Sequence, residues 1–315
     1  MKKNGEYRLL FNIQMLMLFF CVVGIFQSFY GDCLPDSLSK LANVGSFGFY
    51  DNQNVIRANG LIGNPIEFGG FALICFCISY SRFLFDYRRK LNLVSVFICF
   101  AAVVLSMSRT AIVVMILAGV LLHLLKGIRE KRARVQIFYL SFCACLGCLM
   151  ILFFFNDSFL VKRFTPDADK NTVISNKEHA DDFEKSFDTI IRNPGLGIGL
   201  GTQGVSSKSD PKSKIITDGA WFIYFLELGI PVCLFFLLFM FKIQAFIFNL
   251  IRFSGYISCS LFCSSFSILF SMFLMSISNS SFISPINMVV QWTIVGLALS
   301  VAVKVKKVNV GRQIK

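Results

Sequence analysis

Long apolar runs recur along the whole chain. They cover about residues 9–26, 66–81, 91–107, 110–125, 135–155, 220–241, 254–277 and 287–303. A membrane span takes roughly 20 mainly apolar residues, because a helix rises about 1.5 Å per residue through about 30 Å of hydrocarbon. Each run should be a helix, since backbone groups without hydrogen bonds are costly in lipid. The pattern predicts an all-α, polytopic membrane protein with about eight transmembrane helices, built as a single membrane domain over residues 1–315.

The first run has a second interpretation. Lys2 and Lys3 precede it, as positive residues precede the apolar part of a secretory signal peptide. However, no small-residue cleavage site follows, and the run is longer than the usual apolar h-region of a signal peptide. We therefore favour a retained helix.

Composition and charge agree with a membrane protein. Hydrophobic residues make up 55% of the 315 residues and charged residues 16%, which excludes a disordered chain and is unlike a soluble domain, where about a quarter are charged. The net charge is +13, but most of the 31 Lys and Arg residues fall in alternate segments between the runs. By the positive-inside rule, those segments and both termini are cytoplasmic. The charge thus reflects topology, and we predict no nucleic-acid partner.

Two outer segments are long, about residues 27–65 and 156–219. Loops of this length in a compact protein are usually functional. Within the larger one, residues 177–192 place Phe183, Phe187, Ile190 and Ile191 at helical spacing. This predicts an amphipathic helix lying at the outer membrane surface.

Cysteine usage gives no sign of a metal centre. Cys143, Cys145 and Cys148 are close in sequence, but they lie in an apolar run without a nearby His or carboxylate. Small apolar packing is the favoured interpretation over ligation, and we predict no metal and no cofactor.

Arg109 is the most informative single residue. It follows Ser108 between two apolar runs, at the predicted outer boundary of the membrane. An arginine at that depth is costly unless it meets an anion or a carboxylate. It either caps a helix hairpin, pairs with Glu227, or holds a phosphate or diphosphate at the level of the lipid headgroups.

Three more arginines lie on the same predicted side. Arg57 precedes a tight turn formed by Gly60, Gly63 and Asn64-Pro65, where it is either simply solvated or available to a ligand. Arg163 and Arg192 lie in the larger outer segment, and each alone would be a surface charge. Together with Arg109 they supply four cations that can neutralise a diphosphate without a metal ion.

The larger outer segment also holds the remaining candidates. Asn193-Pro-Gly-Leu-Gly-Ile-Gly contains Gly197 and Gly199, but as a phosphate loop it lacks the Gly-Lys-Ser/Thr ending and a preceding strand. Asp218 is either an N-cap or a carboxylate that orients or deprotonates a sugar hydroxyl. His179 is a second candidate base, or an exposed loop residue.

The order of these pieces resembles the O-antigen polymerase and ligase superfamily (Wzy/WaaL type). The resemblance covers roughly residues 50–235. It rests on Arg57 with Gly60 and Asn64-Pro65, on Ser108-Arg109, on Asn193-Pro-Gly-Leu-Gly-Ile-Gly199, and on Asp218 followed by Glu227-Leu-Gly-Ile230. Ligases of this kind have His-Asn where this chain has Asp218-Gly219, so the polymerases are favoured. Family members usually carry several more N-terminal helices, so we expect either a short variant or a missing segment.

The resemblance implies a membrane glycosyltransferase of lipopolysaccharide biosynthesis in the bacterial cytoplasmic (inner) membrane. Its substrate would be an undecaprenyl-diphosphate-linked glycan at the periplasmic or exterior face, with a flippase and a chain-length regulator as partners beside membrane lipid. It implies that Arg109 with Arg163 or Arg57 holds the diphosphate, that Asp218 or His179 acts as base, and that further substrate contacts come from Arg192, Asn193, Gly197, Gly199 and Glu227.

Two other functions remain open. A ligase that joins finished glycan to lipid A core or to protein would keep the arginines and differ in its acceptor. A non-enzymatic transporter would need polar residues along the middle of its helices. The spans offer little beyond Gln14, Gln244, Gln291 and scattered serines, and no internal repeat is evident.

Overall fold

The computed structural model describes residues 5–30, 57–85, 89–130, 170–203, 219–281 and 283–313. Over these residues the regular secondary structure consists of eight helices and no strand. They are α1 Gly5–Tyr30, α2 Pro65–Phe85, α3 Arg89–Leu105, α4 Arg109–Arg129, α5 Lys170–Arg192, α6 Ala220–Phe253, α7 Tyr256–Met275 and α8 Pro285–Gln313. The predicted all-α fold is confirmed.

Six of these helices are long and apolar enough to cross a membrane, namely α1, α2, α4, α6, α7 and α8. The apolar helix α3 is shorter, at 17 residues. The chain is therefore a multi-pass membrane protein, and seven of the eight predicted runs lie on its helices. The run at 135–155, with Cys143, Cys145 and Cys148, lies outside the described residues. Helix α5 confirms the helix expected at 177–192 and begins earlier, at Lys170.

The chain forms two compact units. The first comprises Met1–Ser141, Gln244–Met272 and Ile283–Lys315, and the second comprises Phe142–Ile243 and Phe273–Phe282. In the first unit α2 packs against α1, α3, α4 and α8 and is buried along most of its length. In the second unit the backbone N–H of Trp221, at the start of α6, donates to the carbonyl of Ser276 just after α7 (3.1 Å). That the whole chain is one membrane domain, with both termini cytoplasmic, stays a prediction.

The two ends of α2 show how local sequence sets its limits. Pro65 is the first helical residue, where its missing N–H costs nothing, and the Asn64 side chain accepts a hydrogen bond from the backbone N–H of Ile66 (2.9 Å). At the other end α2 continues past the predicted limit at residue 81 as far as Phe85. Arg82, which the charge pattern assigns to a cytoplasmic segment, is consequently buried.

Arg82 is held by polar and aromatic groups of α1. Its Nη1 donates to Oε1 of Gln14, and its Nη2 donates to the hydroxyl of Tyr7 (3.0 Å). The guanidinium carbon lies 4.8 Å from the ring centre of Tyr7 and 5.2 Å from that of Phe11, within cation–π range. A third hydrogen bond, from Gln14 Nε2 to Ser79 Oγ (3.0 Å), extends the network. These contacts fix α1 against the end of α2.

We expect Arg82→Ala to destabilise the protein by about 2 kcal/mol, because a buried polar group that loses its partner costs about 1–3 kcal/mol. The measurement is the thermal unfolding midpoint of the full chain purified in detergent. Lys90→Ala is the control, since Lys90 is exposed at the start of α3. Equal midpoints for the two variants would contradict the prediction.

Candidate active site

The two predicted arginines of the first unit, Arg57 and Arg109, are both attached to the turn between α3 and α4. Met107 has a positive φ of 53°, which is unusual for a residue with a side chain. The hydroxyl of Ser106 donates to the Val103 carbonyl (2.6 Å) and accepts from the backbone N–H of Ser108 (3.3 Å). This tight turn places Arg109 as the first residue of α4, where it is half-buried.

The start of α4 is suited to an anion. Ser108 is the N-cap residue, with an extended backbone, but its side chain makes no capping hydrogen bond. Helix N-termini carry a partial positive charge and attract phosphate and carboxylate groups. Arg109, as the first residue of the helix, adds its positive charge to this end of the helix dipole.

Arg57 is joined to the same turn. Its Nε donates to the carbonyl of Ser106 (3.0 Å), and the backbone N–H of Ala58 donates to the carbonyl of Leu105 (2.9 Å). Arg57 and Ala58 thus donate hydrogen bonds to two carbonyls at the end of α3 that have no partner within the helix. Arg57 is buried rather than simply solvated, with 8% of its surface exposed. Burial lowers the pKa of Arg57 to about 10, so its charge persists at neutral pH.

The chain between Arg57 and α2 turns on two glycines. Gly60 and Gly63 have φ values of 56° and 82°, in the left-handed region that favours glycine. One turn into α2, a Cβ added at Gly69 would lie 2.9 Å from Ser106 Oγ and 3.2 Å from Ser108 Cβ. Glycine at position 69 therefore lets α2 pack closely against the turn that carries the arginines.

In the second unit, the glycine-rich segment pairs with a break in α6. Gly229 has φ 77° and ψ 171°, and Pro231 follows, so the helical hydrogen bond from Ile230 N–H to Leu226 C=O is lost. The carbonyl of Leu226 instead accepts from the N–H of Ile198 (2.7 Å), and the N–H of Ile230 donates to the carbonyl of Pro194 (3.0 Å). Both groups released by the break thus find partners in the segment that follows α5.

The close approach of this segment to α6 explains why glycine is needed at positions 197 and 229 better than phosphate binding does. A Cβ at Gly197 would lie 2.3 Å from the carbonyl oxygen of Leu226, and one at Gly229 would lie 2.2 Å from that of Gly195. Both glycines have positive φ. The carbonyl of Gly199 accepts from Thr202 Oγ1 (2.8 Å).

The other described candidates of this unit, Glu227, Arg192 and Asn193, lie close in sequence to the glycine-rich segment or to the break in α6. Glu227 Oε1 accepts from the backbone N–H of Gln203 (2.8 Å), which ties the end of the segment to α6. Arg192 ends α5 and Asn193 follows it, and both side chains are exposed. The Asn193 side chain donates to the carbonyl of Thr189 (3.1 Å).

Some candidates are not described. Arg163 and Asp218 lie outside the described residues, and His179 is described only as a member of α5. Conversely, two residues with defined contacts are not among the sequence candidates: Glu67, whose Oε2 accepts from Ser284 Oγ (2.7 Å), and Gln203, whose backbone N–H donates to Glu227. An acidic residue in the first turn of an apolar helix was the only signal that pointed to Glu67.

Three cysteines in the first unit lie close enough together to be compared with a metal site. Among the described residues, Cys21, Cys75 and Cys99 have sulfur atoms within 4.8 Å of one another. They come from α1, α2 and α3, and all three are fully buried. Cysteine packs well as a small apolar side chain in such positions, so we interpret them as part of the helix packing.

We expect Gly197→Ala to destabilise the protein by about 2 kcal/mol or more, since an Ala in the left-handed region costs about 1–2 kcal/mol before any clash with Leu226. Gly195→Ala is the matched control, because a Cβ there meets nothing within 4 Å. Thermal unfolding of both variants in detergent tests this. Stability equal to that of the Gly195 variant would argue against the pairing with α6.

Known proteins with similar sequences indicate the family that this chain resembles. Residues 94–237 match the O-antigen ligase family, a region that contains Ser108-Arg109, the glycine-rich segment and Glu227. A curated O-antigen polymerase from Salmonella muenchen is 27% identical over 179 residues, which are 56% of this chain and 44% of that protein. The chain thus spans less than half the length of the curated relative it matches. The two matches confirm the resemblance to the O-antigen polymerase and ligase superfamily, and the curated relative favours its polymerases.

Proposed function

We propose that this chain polymerises undecaprenyl-diphosphate-linked oligosaccharide repeat units into O-antigen or a related surface polysaccharide. The observation that carries the proposal is that Arg57 is hydrogen-bonded to the turn from which Arg109 begins α4. Guanidiniums are suited to bidentate binding of phosphate oxygens. A diphosphate attached to a lipid would bring such oxygens to the end of a membrane helix.

The reaction is a glycosyl transfer with undecaprenyl diphosphate as the leaving group. A hydroxyl oxygen of the incoming repeat unit attacks the anomeric carbon of the growing chain, and the bond from that carbon to the diphosphate oxygen breaks. The electron pair of that bond stays on the diphosphate, where Arg57 and Arg109, with Arg163 and Arg192, stabilise the charge without a metal ion. The hydroxyl proton passes to Asp218 or, as the second candidate, to His179.

The second unit contributes substrate contacts in this proposal. Arg192 and Asn193 are exposed at the end of α5 and are available to the glycan or to its phosphates. Gly197 and Gly199 act mainly by shaping the segment after α5, and Glu227 acts by binding the end of that segment from α6, as the pairing with α6 supports.

The proposed setting is the bacterial cytoplasmic membrane, with the arginines at its outer face and both termini in the cytoplasm. The distribution of Lys and Arg supports this orientation. A polymerase there needs lipid-linked repeat units delivered across the membrane, so a flippase is a proposed partner, with a chain-length regulator.

Ligation is the second candidate, because the matching family is described as O-antigen ligase. The same arginines would hold the diphosphate, and the acceptor would be lipid A core or a protein. Deleting the gene in its host and separating the surface glycolipids on a gel distinguishes the two. Loss of a polymerase leaves a single repeat unit on its anchor. Loss of a ligase leaves a bare anchor and polymer on undecaprenyl diphosphate.

We expect Arg109→Ala and Arg57→Ala to lower polymer synthesis about 100-fold or more, as removal of a charge-stabilising donor does in other enzymes. Arg109→Lys should retain part of the activity, since lysine keeps the charge and loses the bidentate geometry. The measurement is polymer formed from lipid-diphosphate-linked repeat units by the purified chain in lipid nanodiscs. Arg8→Ala is the control, because Arg8 is exposed near the start of α1. Full activity of Arg109→Ala would overturn the proposal.

A further inference from the structure

Two leucines in the segment after α5 are largely exposed. Among the large apolar side chains that the structure describes, Leu196 and Leu200 are the most exposed, at 87% and 77%. Single apolar residues at a surface need no explanation, but a contiguous apolar patch marks a site of interaction with a protein, a ligand or a membrane. In the second unit, α5 and α6 both extend these leucines into such a patch.

Helix α5 contributes an apolar stripe. Phe187 and Ile191 are exposed and lie four residues apart, so they share one side of the helix. Phe183 continues the stripe by another turn, and its ring centre lies 4.6 Å from that of Phe222 on α6. The stripe therefore runs along α5 from its contact with α6 to the helix end, where the segment with Leu196 begins.

Three different surroundings follow one another around α5. Ser186 and Ile190 are buried, so their side of the helix faces the rest of the protein. At about 100° per residue, Phe187 and Ile191 lie next to that buried side. The far side carries exposed charged residues, namely Asp181, Glu184, Lys185, Asp188 and Arg192. The order of protein, apolar stripe and charged side fits a helix that lies in a membrane surface beside its own protein.

The segment with Leu196 abuts a helix that is long and apolar enough to cross a membrane, α6, over Ala220–Arg252. A Cβ at Gly229 of α6 would lie 2.2 Å from the carbonyl oxygen of Gly195 and 2.9 Å from the backbone nitrogen of Gly197. Just after this junction α6 leaves apolar side chains of its own exposed, namely Val232, Leu234 and Phe235. Exposed apolar side chains on a membrane span face lipid, and Leu196 continues that surface.

We propose that Phe187, Ile191, Leu196 and Leu200 form a lipid-binding patch that inserts into the hydrocarbon of the adjacent membrane leaflet. The partner is the bilayer itself, contacted through its acyl chains. Helices that lie in a membrane surface insert their apolar side by about 5–10 Å. Insertion removes the patch from water, which is favourable roughly in proportion to its apolar area, while the charged side of α5 stays in contact with water.

Insertion also sets the level of two candidate residues. Arg192 and Asn193 lie between Ile191 and Leu196 in the chain, and both side chains are exposed. With their apolar neighbours in the hydrocarbon, these polar groups are held at the level of the lipid headgroups. In the proposed function this is also the level of the substrate's diphosphate, although the patch itself does not depend on that function.

The experiment adds one tryptophan at a time to the full chain in phospholipid nanodiscs. The added emission is the difference from the wild type, which has two tryptophans. We expect Leu196→Trp and Phe187→Trp to emit at shorter wavelength than a solvated tryptophan, and lipid with brominated acyl chains to quench most of the added emission. Bromine near the headgroup end of the chains should quench more than bromine near the methyl end, because the insertion is shallow.

Asp188→Trp is the matched control, because Asp188 is exposed on the charged side of the same helix, next to Phe187. We expect its added emission at longer wavelength, quenched by acrylamide in the water and not by brominated lipid. Unfolding midpoints equal to that of the wild type show that the variants are folded. Leu200→Trp repeats the test at another position of the patch, so the result does not depend on a single variant.

Each other result overturns the proposal. Emission at short wavelength that brominated lipid leaves unchanged means that protein covers the patch, either a second copy or another part of the chain. Emission quenched by acrylamide means that the patch lies in water. Lipid quenching that an equimolar amount of undecaprenyl phosphate abolishes assigns the patch to a polyprenyl chain instead of the bilayer. These measurements need no glycan synthesis, so the proposed function stands or falls separately, with Arg109→Ala.

Discussion

In a membrane, a backbone N–H or C=O that leaves its helix must find a partner within the protein, because the hydrocarbon offers none. Each unit contains one place where the backbone follows this constraint. The end of α3 is joined by Ala58 and Arg57, and the break in α6 is joined by the glycine-rich segment. Irregular backbone persists at these positions because other parts of the chain complete its hydrogen bonds. The hydrogen bonds that satisfy the backbone groups at these helix interruptions therefore also hold the segments that carry the candidate residues.

This constraint explains why residues far apart in the sequence form single structural pieces. Pro194 and Ile198 are joined to Leu226 and Ile230 by two backbone hydrogen bonds. The glycines between them are required for close approach, since a Cβ at Gly197 would overlap the Leu226 carbonyl. The Asn-Pro-Gly segment and the Glu-Leu-Gly-Ile-Pro segment thus form one structural piece. The geometry of this part of the second unit is set by their pairing rather than by either segment alone.

The sequence predicts the helices well, because apolar periodicity and span length are local properties that the bilayer imposes. It predicts seven described apolar helices and α5, and it places Arg57 and Arg109 among four arginines on one side of the membrane. It does not predict the burial of Arg82, since an arginine near the end of an apolar run also fits a cytoplasmic segment. Glu67 with Ser284, and the pairing of Ile198 with Leu226, are contacts between distant residues. No periodicity within one segment encodes such contacts.

The electrostatics of Arg57 connect the fold to the proposed chemistry. Burial lowers the pKa of Arg57 to about 10, which means that the protein holds this positive charge at a cost in solvation. The guanidinium remains charged at neutral pH, and its Nε donates to the uncharged carbonyl of Ser106 (3.0 Å). A diphosphate beside it would offset the solvation cost, because an opposite charge nearby favours the charged form. In a site of low polarity that attraction is stronger than in water. The same burial that makes Arg57 costly for the fold therefore strengthens its proposed attraction for a lipid-linked anion.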